Sequence, residues 1–206
     1  MHRTRRPALL LALAFASSLS TARAAGTADT ADTADAAVAA VAAVAADLPD
    51  TAGLVARGVQ ALLAMQEGTG PAEWPYEGVY RERGEIPAGY RVGGTSLCAL
   101  ALAQAEGWEQ DEARRAAVAR ATDFVLHMLD ADAMSTEIEA RYDVRGWGHA
   151  CALGYLSRLQ RLGRLPEGRE PAVERGIATC LAALAATELP GTGGWNYSRP
   201  ARPPRS

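Results

Sequence analysis

The sequence predicts an all-α protein: an α/α repeat array of about two and a half helix pairs, part of an α/α toroid. Three observations carry that prediction. Three arginine-led blocks align, at residues 57–63, 120–126 and 175–181, with offsets of 63 and 55 residues. Between them lie two apolar segments with a shared core, Cys98-Ala99-Leu100 and Cys151-Ala152-Leu153. Strand signals are weak, because Ala and Leu stand where β-branched residues would be expected. Self-similarity at such a period means stacked supersecondary units, each needing its neighbours to bury its apolar face.

Taken from the N-terminus, residues 1–24 read as an export signal. His2, Arg3, Arg5 and Arg6 form a positive start, residues 8–16 an apolar run, and Ala22-Arg23-Ala24 a small-x-small cleavage pattern. Nine apolar residues fall far short of the ~20 that span a bilayer, so no stable span is expected after cleavage. Localisation is therefore expected to be periplasmic or extracellular. The chain carries −3 overall, and removal of four signal arginines leaves the remainder near −7. That charge argues against nucleic acid as a partner, since phosphate binding needs a basic face. Residues 25–50 are an Ala/Thr/Asp low-complexity linker, broken by Asp47-Leu48-Pro49-Asp50 before the globular part begins.

The repeat domain is expected over residues 51–198. Its arginine-led helices are amphipathic. Val55, Val59, Leu62 and Leu63 share one face; so do Ala121, Phe124, Val125, Met128 and Leu129; so do Ile177, Cys180, Leu181 and Leu184. The Cys-Ala-Leu helices are apolar on every side over 97–103 and 150–156, and a soluble helix of that kind must be surrounded by protein. Half-wet helices alternating with enclosed ones imply an outer and an inner layer. The three cysteines, Cys98, Cys151 and Cys180, lack metal-ligand spacing and read as small buried hydrophobes. Glu73, Glu77, Arg81, Glu82, Arg83 and Glu85 read as a solvated charged loop.

Arg57-Gly58, followed by Gln66, Gly70 and Trp74, resembles the QW motif of terpenoid cyclases and protein prenyltransferase β-subunits, the prenyltransferase and squalene-oxidase repeat family. The third block keeps Arg175-Gly176 and Gly193-Gly194-Trp195, with Leu184 in place of the glutamine; the second keeps Arg120 and Gly146-Trp147. The resemblance implies inner helices ringed by outer ones, with an apolar cavity at one end that takes isoprenoid chains in active members. It also shows what departs from that pattern. Asp130-Ala131-Asp132-Ala133 lacks the third acid of the cyclase motif. His149 and Cys151 lie two residues apart, about 200° around a helix, and do not suit a shared zinc ion. No catalytic residue, metal ligand or cofactor is assigned. Six residues are candidates for a cavity mouth: Trp74, Tyr76, Trp147, His149, Trp195 and Tyr197. The tryptophans also have a packing reading, with the ring buried under the next repeat and its N–H seeking one acceptor.

The Pro/Arg-rich tail, 199–206, stands where an inner helix should follow the third block. A truncated member of the family is the expectation, with an open apolar end at Leu181, Leu184 and nearby alanines through which copies could self-associate. The expected function is an exported, non-catalytic repeat module binding an apolar small molecule or a protein partner. Two alternatives are a fragment of an isoprenoid-processing enzyme and a polysaccharide-active enzyme on the same scaffold.

Overall fold

Alternating apolar periodicities give alternating helices in the computed structural model, which describes residues 50–136, 143–189, 191, 193–195 and 197. The expected signal, the linker up to residue 49 and the tail 199–206 lie outside the described residues. Chain contacts group residues 52–206 into one compact unit. Its helices are α1 (Thr51–Met65), α2 (Ala88–Gln104), α3 (Glu112–Leu129), α4 (Arg145–Leu162) and α5 (Glu170–Thr187), with 3-10 turns at Trp108–Gln110 and Asp132–Met134. Among the described residues there is no strand, only two isolated antiparallel bridges. No described helix is long and apolar enough to cross a membrane.

The helix ends have local causes. Asp111 precedes α3, and its carboxylate accepts the Arg114 backbone N–H at 2.9 Å, satisfying one of the donors left open at a helix start. Gly163 closes α4 at φ 63°, and the Arg164 N–H bonds the Leu159 carbonyl. Pro171 sits in the first turn of α5, where the N–H it lacks would have no helical partner.

Two layers result. The inner pair, α2 and α4, lies together with both N-termini at one end, and α3 and α5 pack outside as α3 on α2 and α5 on α4. The inner pair crosses at glycine. A methyl group on Gly93 would run into the Trp147 ring, and one on Gly148 would lie 2.9 Å from the Gly89 Cα. The repeat is in register at the level of burial. Ser96, Ala99, Leu102 and Ala103 of α2 are buried, and so are their counterparts His149, Ala152, Tyr155 and Leu156 of α4. Val118, Ala121, Val125 and Met128 of α3 are matched by Val173, Gly176, Cys180 and Ala183 of α5. The centre is closed by Tyr155, whose hydroxyl meets Thr122 Oγ1 at 2.7 Å.

Two sequence expectations need correction. The inner helices are not enclosed on every side. Leu97 is 51% exposed, and Ala101, Ala150 and Gly154 are exposed with it. These four occupy matching positions on α2 and α4 and form one small-residue face. No described helix lies across that face, so the apolar pattern outruns the burial available to it. The first amphipathic helix is also barely packed. α1 buries no residue completely; Val59, Leu62 and Leu63 touch the core at its C-terminal half, while Val55 stays 48% exposed. The cause is positional. Each later outer helix rests on the inner helix before it, and no described inner helix precedes α1.

Candidate functional site

Trp74 arrives by a turn that is fixed at both ends. Glu67 and Glu73 exchange backbone hydrogen bonds at 2.9 Å, and the Ala72 N–H bonds the Arg120 carbonyl of α3. Gln66 donates to the Ala117 carbonyl at 2.9 Å and accepts from Arg120, so it bonds the neighbouring outer helix rather than its own helix end. Trp74 is then only 3% exposed. Its indole N–H donates to the Leu62 carbonyl at 2.7 Å, and its backbone N–H to Thr95 Oγ1 at 3.1 Å. It belongs to the core and does not stand at a mouth. Trp195 does the same on α5, with its indole N–H 2.8 Å from the Leu184 carbonyl, but its ring is 53% exposed. Leu62 and Leu184 are each the fourth residue from the end of their helix, where carbonyls lose their helical partners. Trp147 is not a third copy of this device, because it lies inside the first turn of α4.

Trp147 belongs instead to an aromatic cluster at the N-terminal ends of the inner helices. Tyr76 stacks on it with centroids 5.9 Å apart and planes at 21°. Tyr90 meets both rings, at 5.4 Å and 5.7 Å, and Tyr80 meets Tyr90 edge-on at 5.9 Å. Tyr76 remains 45% exposed, so one side of the stack is open to solvent. Two of the six candidate residues, Tyr76 and Trp147, are thus brought together. Tyr197 reaches the same end of α4 by its backbone, where its carbonyl accepts the Asp143 N–H at 2.6 Å.

Beside the cluster lies a groove of about 1040 Å³. One wall is the 82–85 turn with Tyr80, Glu82, Arg83 and Glu85. The other is formed by the start of α2 at Gly89 and Arg91, Met128 of α3, and Asp143 and Arg145 before α4. Its lining is mixed, with Ile86, Pro87, Met128 and Val144 standing among the charged side chains, whereas the family resemblance implies an apolar cavity. Arg83 is held at φ 53°, a left-handed conformation uncommon outside glycine, which turns the tip of that wall. Glu73 grips the Arg91 guanidinium through both carboxylate oxygens, raises its already high pKa by that bond, and seats it 5.3 Å over the Phe124 ring. Asp143 holds Arg145 through its side chain, and Arg145 also donates to the Ser135 carbonyl. Glu73 is therefore part of a packed ion pair rather than of a solvated loop, whereas Glu77 and Arg81 pair in the open.

His149 is buried below this surface. Its Nε2 lies 2.9 Å from the Met134 carbonyl, which makes Nε2–H the donor. Burial holds its pKa below the usual histidine range, with Arg145 adding to the effect and the Met134 bond opposing it. It fastens the Asp132–Met134 turn to α4 and does not face the groove. Burial also raises the thiols of Cys98, of Cys151 to about 11 and of Cys180 to about 12, so none of the three is poised as a nucleophile at neutral pH. No three His, Cys, Asp or Glu side chains cluster as metal ligands among the described residues.

Tyr80, Tyr90, Arg91, Asp143 and Arg145 were not legible as site residues, since they come together only when the two inner helices start side by side. Trp108 was missed because its two partners, distant from each other in sequence, meet it only in the folded array. It is buried between Arg114 and Arg164 at the other end of the array, with the guanidinium centres 5.9 Å and 5.3 Å from its ring. Comparison with family models, with curated proteins and with solved structures finds no match for this chain.

Proposed function

We propose that this chain is an exported, non-catalytic α/α repeat module of the prenyltransferase-repeat type, and that it binds a protein partner at the N-terminal ends of its inner helices. The observation that carries the reading is the open side of the Tyr76–Trp147 stack, set against a groove walled by Glu82, Arg83 and Glu85. Aromatic rings with arginine and mixed charge at one surface are what peptide segments recognise well. Charged side chains interleaved with apolar ones suit a peptide better than an isoprenoid chain, which would leave Glu82, Arg83 and Glu85 without polar partners, so the protein partner is preferred to the apolar ligand. The kinship is supported by the indole-to-carbonyl bond made twice at the same helical position, by Trp74 and Trp195. Export rests on the sequence of residues 1–24.

The test uses the purified chain against immobilised peptides of mixed charge and, separately, against farnesol. Peptide binding should weaken about tenfold, roughly 1.4 kcal/mol, in Tyr80→Ala and Arg83→Glu. Saturable farnesol binding indifferent to Arg83→Glu would sink the protein-partner reading. Turnover of squalene or a prenyl diphosphate would restore the enzyme reading.

A further inference from the structure

The two ends of the array carry complementary halves of a contact that the chain already makes once internally. Inside the molecule, Leu126 of α3 points into the space over Gly176 of α5: a methyl group on Gly176 would lie 2.8 Å from Leu126 Cδ2 and 3.1 Å from Leu156 Cδ1. The repeat assigns each partner a counterpart. Arg57-Gly58 of α1 corresponds to Arg175-Gly176 of α5, so the notch recurs at Gly58. Leu126, six residues after Arg120, corresponds to Leu181, six after Arg175, so the knob recurs at Leu181.

Among the described residues neither counterpart is occupied. A methyl group on Gly58 would meet nothing within 4 Å, and Leu181 is 54% exposed. The surroundings match too. Val55 of α1, exposed, holds the place of Val173, which is fully buried in α5. The internal contact also has an ion pair between Arg169 and Asp123; the place of Asp123 on α5 is taken by Ala178, so closing the outer contact leaves no carboxylate buried alone.

We propose that copies of this chain associate head to tail, with Leu181 on α5 of one copy seated over Gly58 on α1 of the next. The occupant of the α1 face is a second copy because, among the described residues, the outer flank of α5 presents at Leu181 the counterpart of the leucine that covers Gly176. The contact joins two different patches, so it propagates beyond a dimer or closes into a ring.

Sedimentation velocity on the purified chain tests this with two variants at exposed positions that do not disturb the fold, Leu181→Arg and Gly58→Leu. The wild-type chain should form species larger than dimers as concentration rises. Each variant alone should associate at least about tenfold more weakly. Mixed together they should form one-to-one heterodimers and stop there, because the mixture holds one good knob and one good notch. A wild-type chain that stays monomeric at every concentration would overturn the proposal, as would association unaffected by Leu181→Arg. A mixture that forms no heterodimer would also overturn it, by showing that the α1 face meets another α1 face or another part of the chain.

Discussion

Trp74 and Trp195 make one hydrogen bond in two environments, and the difference decides what each is worth. Trp74 joins a 2.7 Å bond to nearly complete burial, so Trp74→Phe should lose about 2–3 kcal/mol from lost area and an unmet carbonyl. Trp195→Phe should lose under about 1 kcal/mol, since water replaces the bond at an exposed site. Urea denaturation of the two variants measures both. The glycines make a second contrast. Gly93→Ala drives a methyl into the Trp147 ring and should cost about 3 kcal/mol or more, while Gly58→Ala fills open space on a helix and should gain up to about 1 kcal/mol by propensity alone. Thermal melts should move in opposite directions. The Trp74 motif was legible from its glutamine and glycine spacing. The fate of Trp147 was not, because Gly146-Trp147 has the same local look as a turn and only the approach of α2 draws it into a helix start.

At the scale of the elements, His149 ties α4 to the turn after α3. Its folded pKa is depressed, so the unfolded chain binds the proton more readily. The sign follows: this contribution is fully present above the ordinary histidine pKa of about 6.5 and is lost as pH falls through that value toward the lower folded one. His149→Gln keeps an N–H donor for the Met134 carbonyl and cannot titrate. The drop in melting temperature between neutral pH and about pH 5 should be shallower in that variant than in the wild type. An equal slope in both would show that other groups carry the acid sensitivity. The helix types themselves were readable from periodicity: the α3 residues expected on one face are all buried. Periodicity could not foresee that α1 lacks a preceding inner helix, or that Leu97 and Ala150 would remain exposed. Apolar spacing reports which side of a helix could be buried, and burial also needs a neighbour to supply the cover.

At the scale of the molecule, the groove of mixed charged and apolar lining was the feature least visible beforehand. Its residues come from positions 80–91, 128, 133 and 143–145, distant in sequence and brought together where two inner helices start side by side. The layered array on which the groove depends makes a direct claim about where stability resides. α2 around 99–103 and α4 around 152–159 carry the most completely buried side chains, packed against α3, α5 and each other, whereas α1 is packed at one end only. Amide hydrogen exchange of the native chain reads this out segment by segment. The slowest exchange is expected in those two inner stretches, intermediate exchange in α3 and α5, and fast exchange in the first half of α1. Equal protection across all five helices, or rapid exchange around Leu102 and Tyr155, would contradict the layered array.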